Sequence, residues 1–232
     1  MSNSFYVISA TPKEDLKLLN LFQSGEKSLM DLLSNPGSFR YAGWDLETYD
    51  QAKIIEGDYL EVKNGERKVI QLYEDGSLIL KVPVDENFLG WGMNKDVFNE
   101  TPKLNTLALI EVTTNFVYFY KKIISYFDNK PESILFVVNF SDLFIDEKKM
   151  TLVPAVVDER QFNIGTVYSA PQNNFNKEIE ISVEELLNKT DLVSYKILEK
   201  IFNWFGIPSN IIPYTKDVDG EKNIDIQKWL KK

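Results

Sequence analysis

Three polar residues have the types and the spacing of a magnesium-dependent nuclease centre. Glu61 and Lys63 alternate on a predicted strand, and Asp45 precedes them by sixteen residues. In such nucleases two carboxylates hold the metal ion, and a lysine positions or activates a water molecule. The same Glu-x-Lys spacing recurs at residues 66–68 and 147–149. A solvated strand face in a chain rich in lysine and glutamate therefore explains the pattern equally well.

A second candidate site is the glycine-flanked aromatic segment at residues 88–93. Trp91 stands between two glycines, with Phe88 and Met93 beside it. If exposed, these side chains would anchor a protein partner or line a small-molecule pocket, because tryptophan is enriched at interface hot spots. If folded inward, they would cover the end of a sheet. We predict Phe88, Trp91 and Met93 as partner-binding residues, and the sequence leaves the inward alternative open.

The composition excludes several kinds of chemistry. The 232 residues include no cysteine and no histidine, which excludes thiol catalysis, cysteine-built metal sites and histidine-based triads. The chain has 26 Lys and Arg against 35 Asp and Glu, a net charge of -9, which opposes binding to a phosphate backbone. We therefore expect no catalytic residues, no metal, no cofactor and no direct contact with nucleic acid.

No membrane or secretion signal is recognisable in the sequence. The N-terminal residues lack the charged and apolar regions of a signal peptide, and the apolar run from Ile134 to Val138 is far too short for a bilayer span. We expect a cytoplasmic protein.

The clearest local pattern is a run of three strands. Asn64-Gly65 and Asp75-Gly76 separate three strand-like segments, and both dipeptides tolerate the positive φ angles of tight hairpin turns. Alternation predicts a core face formed by Leu60, Val62, Ile70, Leu72, Leu78, Leu80 and Val82. The opposite face carries Glu61, Lys63, Gln71 and Lys81. These segments predict an antiparallel meander over residues 59–82.

Two long helices are predicted in the second half of the chain. Apolar residues at steps of three and four indicate a helix from about Thr106 to Asp128. A second helix, capped by Thr190 or Asp191, ends before Gly206.

Two further strands are predicted outside the meander. The apolar, β-branched run Ile134 to Phe140 is typical of a strand buried on both faces. At the N-terminus, residues 5–9 predict a strand, and Thr11-Pro12 predicts the cap of a following helix.

These elements predict the α+β class. Strands and helices mix without regular βαβ alternation, and no linker divides the chain. We expect one domain over residues 1–232, with a mixed, largely antiparallel sheet that includes the meander and packs against the two long helices. From about residue 209 we expect an extended C-terminal tail.

Several segments together resemble a known bacterial family. They are residues 7–12, 36–44, 69–77, 134–143 and 192–208. In this order they resemble the C-terminal accessory domain of AlbA- or Schlafen-type DNA-binding, ATP-binding proteins. The shared motifs are turns, an aromatic residue and a helix stop, and none of them is catalytic. In that family, nucleic-acid or nucleotide binding is assigned to a preceding AlbA-like domain that these 232 residues do not contain.

The resemblance implies a fold and an accessory role in a bacterial regulatory or defence-type system. We expect a non-enzymatic sensing or protein-interaction module that binds a protein partner or forms its own oligomer. A small-molecule ligand remains an open third possibility. The alternative function is a magnesium-dependent nuclease of the PD-(D/E)xK type that uses Asp45, Glu61 and Lys63.

Overall fold

The chain folds as an α+β protein built on one large antiparallel sheet. The computed structural model describes residues 4–14, 20–21, 28–40, 43–48, 50–65, 68–90, 95–153 and 167–230. The helices are α1 (Leu29–Ser34), α2 (Lys95–Glu100), α3 (Thr106–Ile124), α4 (Val183–Asn188), α5 (Thr190–Trp204) and α6 (Ile226–Leu230). The strands are β1 (Phe5–Pro12), β2 (Lys53–Ile55), β3 (Tyr59–Asn64), β4 (Lys68–Tyr73), β5 (Leu78–Pro83), β6 (Lys103–Asn105), β7 (Ser133–Ser141), β8 (Phe144–Ile145), β9 (Lys148–Lys149), β10 (Thr151–Val153), β11 (Tyr168–Ser169), β12 (Phe175–Ser182), β13 (Thr215–Val218) and β14 (Glu221–Ile224).

Seven strands form the main sheet, in the order β12-β7-β1-β5-β4-β3-β2. Every neighbouring pair is antiparallel. The predicted meander is confirmed as β3, β4 and β5, with the predicted alternation of core and outer residues. A smaller sheet, β11-β10-β6, and the hairpins β8-β9 and β13-β14 complete the strands.

The turn between β4 and β5 has a different geometry from the tight dipeptide turn that Asp75-Gly76 suggests. The Gly76 N–H donates to the Tyr73 carbonyl at 3.0 Å, and the Tyr73 N–H donates to the Ser77 carbonyl at 2.9 Å. Gly76 has φ +82°, whereas Asp75 is not among the residues with positive φ. The connection is therefore a three-residue loop in which a type I turn is followed by a glycine bulge.

The two predicted long helices are confirmed as α3 and α5, which pack on each other beneath the sheet. The Asn105 side chain caps α3 by accepting hydrogen bonds from the N–H groups of Leu107 and Ala108. Nearly all of α3 is buried, and the Tyr6 hydroxyl of β1 is hydrogen-bonded to Thr113 at 2.9 Å. In the described part of the chain, no helix has both the length and the apolar character that a bilayer span requires.

Two predicted helix caps are wrong. Thr11 does not cap a helix, because β1 continues through Pro12 alongside β7. The pairing of β1 with β5 ends at Ala10, so Pro12 lies beyond that ladder, where its missing N–H is tolerated. At α5 the cap position is Lys189, because α4 runs almost directly into α5 and the Thr190 hydroxyl donates to the Leu186 carbonyl instead. Residues 15–19 and 22–27, where a helix after Thr11 was predicted, lie outside the described residues.

The prediction that β7 is buried on both faces is also wrong. Along Ser133–Ser141 the residues alternate between buried and half-buried. Ile134, Phe136 and Val138 face α3 and the core, whereas Leu135 and Val137 lie on the opposite face. The sheet is therefore covered by helices on one side.

The segment after residue 209 differs from the predicted extended tail. It contains a 3-10 turn (Ser209–Ile211), the hairpin β13-β14 and α6. The hairpin closes through Asp219 (φ +52°) and Gly220 (φ +82°), and β14 packs against α5. Buried apolar side chains form one connected cluster that extends from Tyr6 to Ile224.

Candidate functional site

The structure separates the three residues of the predicted nuclease site. Glu61 lies on the outer face of β3, where its carboxylate accepts a hydrogen bond from Gln71 at 2.9 Å and lies 3.3 Å from the Lys63 ammonium. Asp45 is on the other side of the sheet, 3.5 Å from the ammonium of Lys68, a residue of the core face. Among the described residues, no group of three or more acidic side chains is arranged to hold a metal ion. The spacing of the three residues in the sequence does not determine on which face of the sheet Asp45 lies.

The predicted partner-binding residues are only partly described. Trp91 and Met93 lie outside the described residues, so their role stays a prediction. Phe88 is half-buried and packs against the core, with the Lys68 ammonium 5.1 Å from its ring centroid. The Asp85 carboxylate accepts hydrogen bonds from the N–H groups of Asn87 and Phe88, which fixes the turn that leads into the aromatic segment.

An irregular segment around Trp44 is held by a group of buried polar side chains that the sequence reading missed. We call Arg40, Trp44, Lys68, Glu111 and Asn115 the Trp44 cluster. Glu111 of α3 accepts a hydrogen bond from the Trp44 N–H at 3.0 Å, and Asn115, one turn later, donates to the Trp44 carbonyl at 3.2 Å. Both backbone groups of Trp44 are thus satisfied by one helix, as a buried segment without regular structure requires.

The indole of Trp44 connects this segment to the turn at Phe88. Its Nε1 donates to the Phe88 carbonyl at 2.8 Å, and the Arg40 guanidinium lies 5.7 Å from the ring centroid. Gly43 precedes Trp44, and a Cβ atom at Gly43 would lie 2.8 Å from the Glu111 carboxylate. The close approach of the backbone to the buried carboxylate therefore depends on a glycine at this position.

The charges of the Trp44 cluster are strongly desolvated. The Glu111 carboxylate pairs with Arg40, whose Nη2 lies 2.8 Å from Oε1, and Glu111 is only 2 % exposed. Burial raises the pKa of Glu111 above its ordinary value in spite of the hydrogen bond from Trp44 and the nearby guanidinium. Burial likewise lowers the pKa of Lys68, although Asp45 acts in the opposite direction.

Lys68 stabilises the next part of the same segment. Its ammonium donates to the carbonyls of Asp45 at 2.9 Å and Glu47 at 2.6 Å. The Trp44 cluster therefore joins residues 43–47 to α3 on one side and to β4 on the other. The Arg40 Nε atom has no hydrogen-bond partner within the cluster. We interpret the cluster as the support of the turn at Phe88. The signal in the sequence was Glu111, the one charged residue in the first four turns of α3, with the polar Asn115 four residues later.

The outer side of the main sheet carries half-buried side chains, whereas the side chains on its inner side are buried. We call it the open face. Its half-buried apolar side chains come from β1, β4, β5 and β7, and none belongs to the core cluster or packs against it. They are Phe5, Val7, Val69, Ile79, Leu135 and Val137.

Polar and aromatic side chains lie between and around these apolar residues. The Lys81 ammonium lies 3.8 Å from the ring centroid of Phe5, and Tyr59 and Tyr73 stack with their ring centroids 5.0 Å apart. At the β12 edge, Glu180 pairs with Lys13 at 2.7 Å, and Glu178 is exposed. The open face is therefore apolar at its centre and charged at both edges.

A polar cleft of about 350 Å³ lies near α4, at a distance from both features. Four of its five charged side chains pair with one another, since Lys189 lies 2.7 Å from Glu221 and Lys196 pairs with Glu185, and the fifth, Glu184, is exposed. The cleft presents no buried, unpaired group to a ligand.

Comparisons of the chain with protein-family models, with curated proteins and with solved structures give no match. The resemblance to the accessory domain of AlbA- or Schlafen-type proteins therefore stays a prediction that rests on the quoted segments alone.

Proposed function

We propose that this chain is a non-enzymatic interaction module that binds a protein partner through the open face of its sheet. The observation that carries the proposal is the contiguous patch of six apolar side chains at the centre of that face. Val7 lies diagonally next to Ile79 and Val137 in the strand registers, so apolar side chains of four strands adjoin diagonally, with Ser9 and Lys81 between them. Contiguous apolar patches on a soluble protein mark interaction sites.

The sequence of β7 supports the same proposal. Residues Ile134 to Val138 are apolar without a break, a pattern typical of a strand covered on both sides. The helices cover one side, through Ile134, Phe136 and Val138. A partner on the open face would supply the second cover and bury Leu135 and Val137.

The resemblance to a bacterial accessory domain agrees with this role. It implies a module that senses or docks beside other components of a regulatory or defence-type system. The predicted partner-binding residues Phe88, Trp91 and Met93 would then form an additional contact.

A pair of lysine substitutions tests the proposal. Val137→Lys places a charge in the middle of the apolar patch, and Gln227→Lys places the same charge on exposed α6, outside the sheet. Tagged wild-type and variant chains are expressed at equal levels in native cells and recovered with their bound partners after cross-linking. We expect Val137→Lys to reduce recovery of the partner at least about tenfold, a loss of about 1.4 kcal/mol. We expect Gln227→Lys to bind like the wild type.

Thermal unfolding of both variants is measured by circular dichroism. A charge on a half-exposed strand position changes stability by about 1 kcal/mol or less, so both variants should remain folded. Equal recovery of every partner by folded Val137→Lys and by the wild type would contradict the proposal.

A further inference from the structure

We propose that the partner on the open face is a second copy of this chain, packed face to face about a two-fold axis that runs parallel to the strands. The inference rests on the proposed function, since it identifies the occupant of the same surface. It is carried by the distribution of charged and apolar residues across the sheet.

One row of side chains crosses all seven strands of the open face. The strand registers place these residues directly beside one another. From β12 to β2 the row is Glu178, Val137, Ser9, Ile79, Gln71, Glu61 and Lys53. An exposed acid stands at one end, an exposed base at the other, and an isoleucine at the centre.

This arrangement is complementary to itself under one particular symmetry operation. A two-fold axis that is parallel to the strands and passes above Ile79 places β12 over β2, β7 over β3 and β1 over β4 of the second copy. Glu178 then faces Lys53 at both ends of the interface. An axis perpendicular to the strands would place Glu178 over Glu178, so the charges favour the first arrangement.

The apolar residues match under the same operation. Val7 and Val69 flank Lys81 in a neighbouring row, so Val7 of one copy faces Val69 of the other, and Ile79 faces itself. Lys81 lies on β5 with Ile79, so it also faces its own counterpart across the axis, and its ammonium is turned over the ring of Phe5 on the neighbouring strand β1.

Val137 faces Glu61 in this arrangement. The Glu61 carboxylate already accepts a hydrogen bond from Gln71 and lies 3.3 Å from the Lys63 ammonium. Its charge is therefore compensated within its own copy, and the contact adds no unpaired charge to the interface.

The size of the face fits a weak, reversible dimer. Seven strands spaced about 4.8 Å apart and about six residues long span roughly 29 by 20 Å. That footprint is about 580 Å² per partner and about 1,160 Å² in total, just below the roughly 1,200 Å² at which stable interfaces begin. Sheets that pack in this way keep their strands within about 30° of parallel.

Sedimentation equilibrium of the purified chain over a wide concentration range tests the inference. We expect a monomer–dimer equilibrium, which Ile79→Lys shifts to monomer by more than about tenfold, because it replaces the apolar contact at the axis by a second pair of facing lysines beside Lys81. The matched control Gln227→Lys should dimerise like the wild type.

A charge exchange provides the second test, at exposed positions where folding is not at risk. Each contact between Glu178 and Lys53 occurs twice in the dimer, so Lys53→Glu or Glu178→Lys alone should weaken dimerisation roughly two- to tenfold. The double variant should recover the wild-type dissociation constant. Additive losses in the double variant would overturn the proposed axis.

The remaining outcomes separate this inference from the proposed function. A chain that stays monomeric at all concentrations, or a dimer that folded Ile79→Lys leaves intact, overturns self-association through the open face. If the monomeric chain still captures another protein that Val137→Lys loses, the proposed function stands. If it captures none, both proposals fail.

Discussion

Replacing Gly76 by alanine should destabilise the meander for two independent reasons. Gly76 occupies the bulge after the type I turn with φ +82°, a conformation that residues with a Cβ atom rarely adopt. A Cβ atom at this position would also lie 2.2 Å from Cζ and 2.7 Å from Cε2 of Phe127. Phe127 is 6 % exposed and belongs to the core cluster, so its ring has little room to move.

The two effects can be estimated separately. The left-handed backbone conformation costs a residue with a side chain about 1–2 kcal/mol. Overlap with a packed aromatic ring adds about 1–3 kcal/mol. We therefore expect Gly76→Ala to lower the free energy of unfolding by about 2–5 kcal/mol, measured by urea denaturation followed by circular dichroism.

Gly65→Ala is the matched control for this measurement. Gly65 has φ +59° in the preceding turn, and no atom lies within 4 Å of its hypothetical Cβ. It should therefore lose only the backbone contribution, about 1–2 kcal/mol. Equal losses at Gly65 and Gly76 would refute the contact with Phe127, and a negligible loss at Gly76 would refute the turn geometry itself.

Two further predictions concern the Trp44 cluster and the aromatic segment. The pKa of Glu111 is raised in the folded state, so the folded chain binds the proton of this carboxyl group more tightly than the unfolded chain does. The contribution of Glu111 to the free energy of unfolding should therefore fall as the pH rises from about 4.3 toward the folded-state pKa. The melting temperature of Glu111→Gln should accordingly rise relative to wild type over that interval, and an identical trend in the exposed control Glu132→Gln would contradict this cause. Trp91→Ala should leave the melting temperature unchanged and weaken partner binding by about 2 kcal/mol or more. A stability loss of about 3–5 kcal/mol would instead place the indole in the core.

Local patterns in the sequence were sufficient to predict the meander and the long helices. The turn at Gly76 and the alternation of Leu78, Leu80 and Val82 lie within a few residues of one another, and α3 follows a periodic apolar stripe. Such features depend on residues that are neighbours in the sequence, so they can be predicted without knowledge of the tertiary contacts. Even here the turn class was missed, because Asp75-Gly76 is compatible with more than one hairpin loop.

Features that depend on distant partners were not predictable in this way. The apolar run of β7 indicates which residues are hydrophobic, but it does not indicate what covers them, and Leu135 and Val137 lie on an uncovered face. Thr11-Pro12 has the local chemistry of a helix start, yet pairing with Leu135 and Ile134 keeps it in β1. Tertiary pairing overrides local preference at such positions.

In the candidate sites, too, local features were predictable from the sequence and contacts between distant residues were not. Glu61 and Lys63 do share a strand face, as their spacing predicted, but Asp45 lies on the other side of the sheet. The buried pair of Glu111 and Arg40 joins residues far apart in sequence, and only the presence of a charge within the apolar stretch of α3 pointed to it.

The position of β1 in the main sheet has a consequence for how the chain is made. β1 comes early in the sequence but is an interior strand, and its neighbours β5 and β7 are synthesised much later. The meander can form from a short nascent segment, whereas one edge of β1 keeps its backbone N–H and C=O groups unpaired until β7 has left the ribosome. Completion of the sheet is therefore a late and slow step. A nascent chain halted after α3 would expose an edge of this central strand to pairing with other chains.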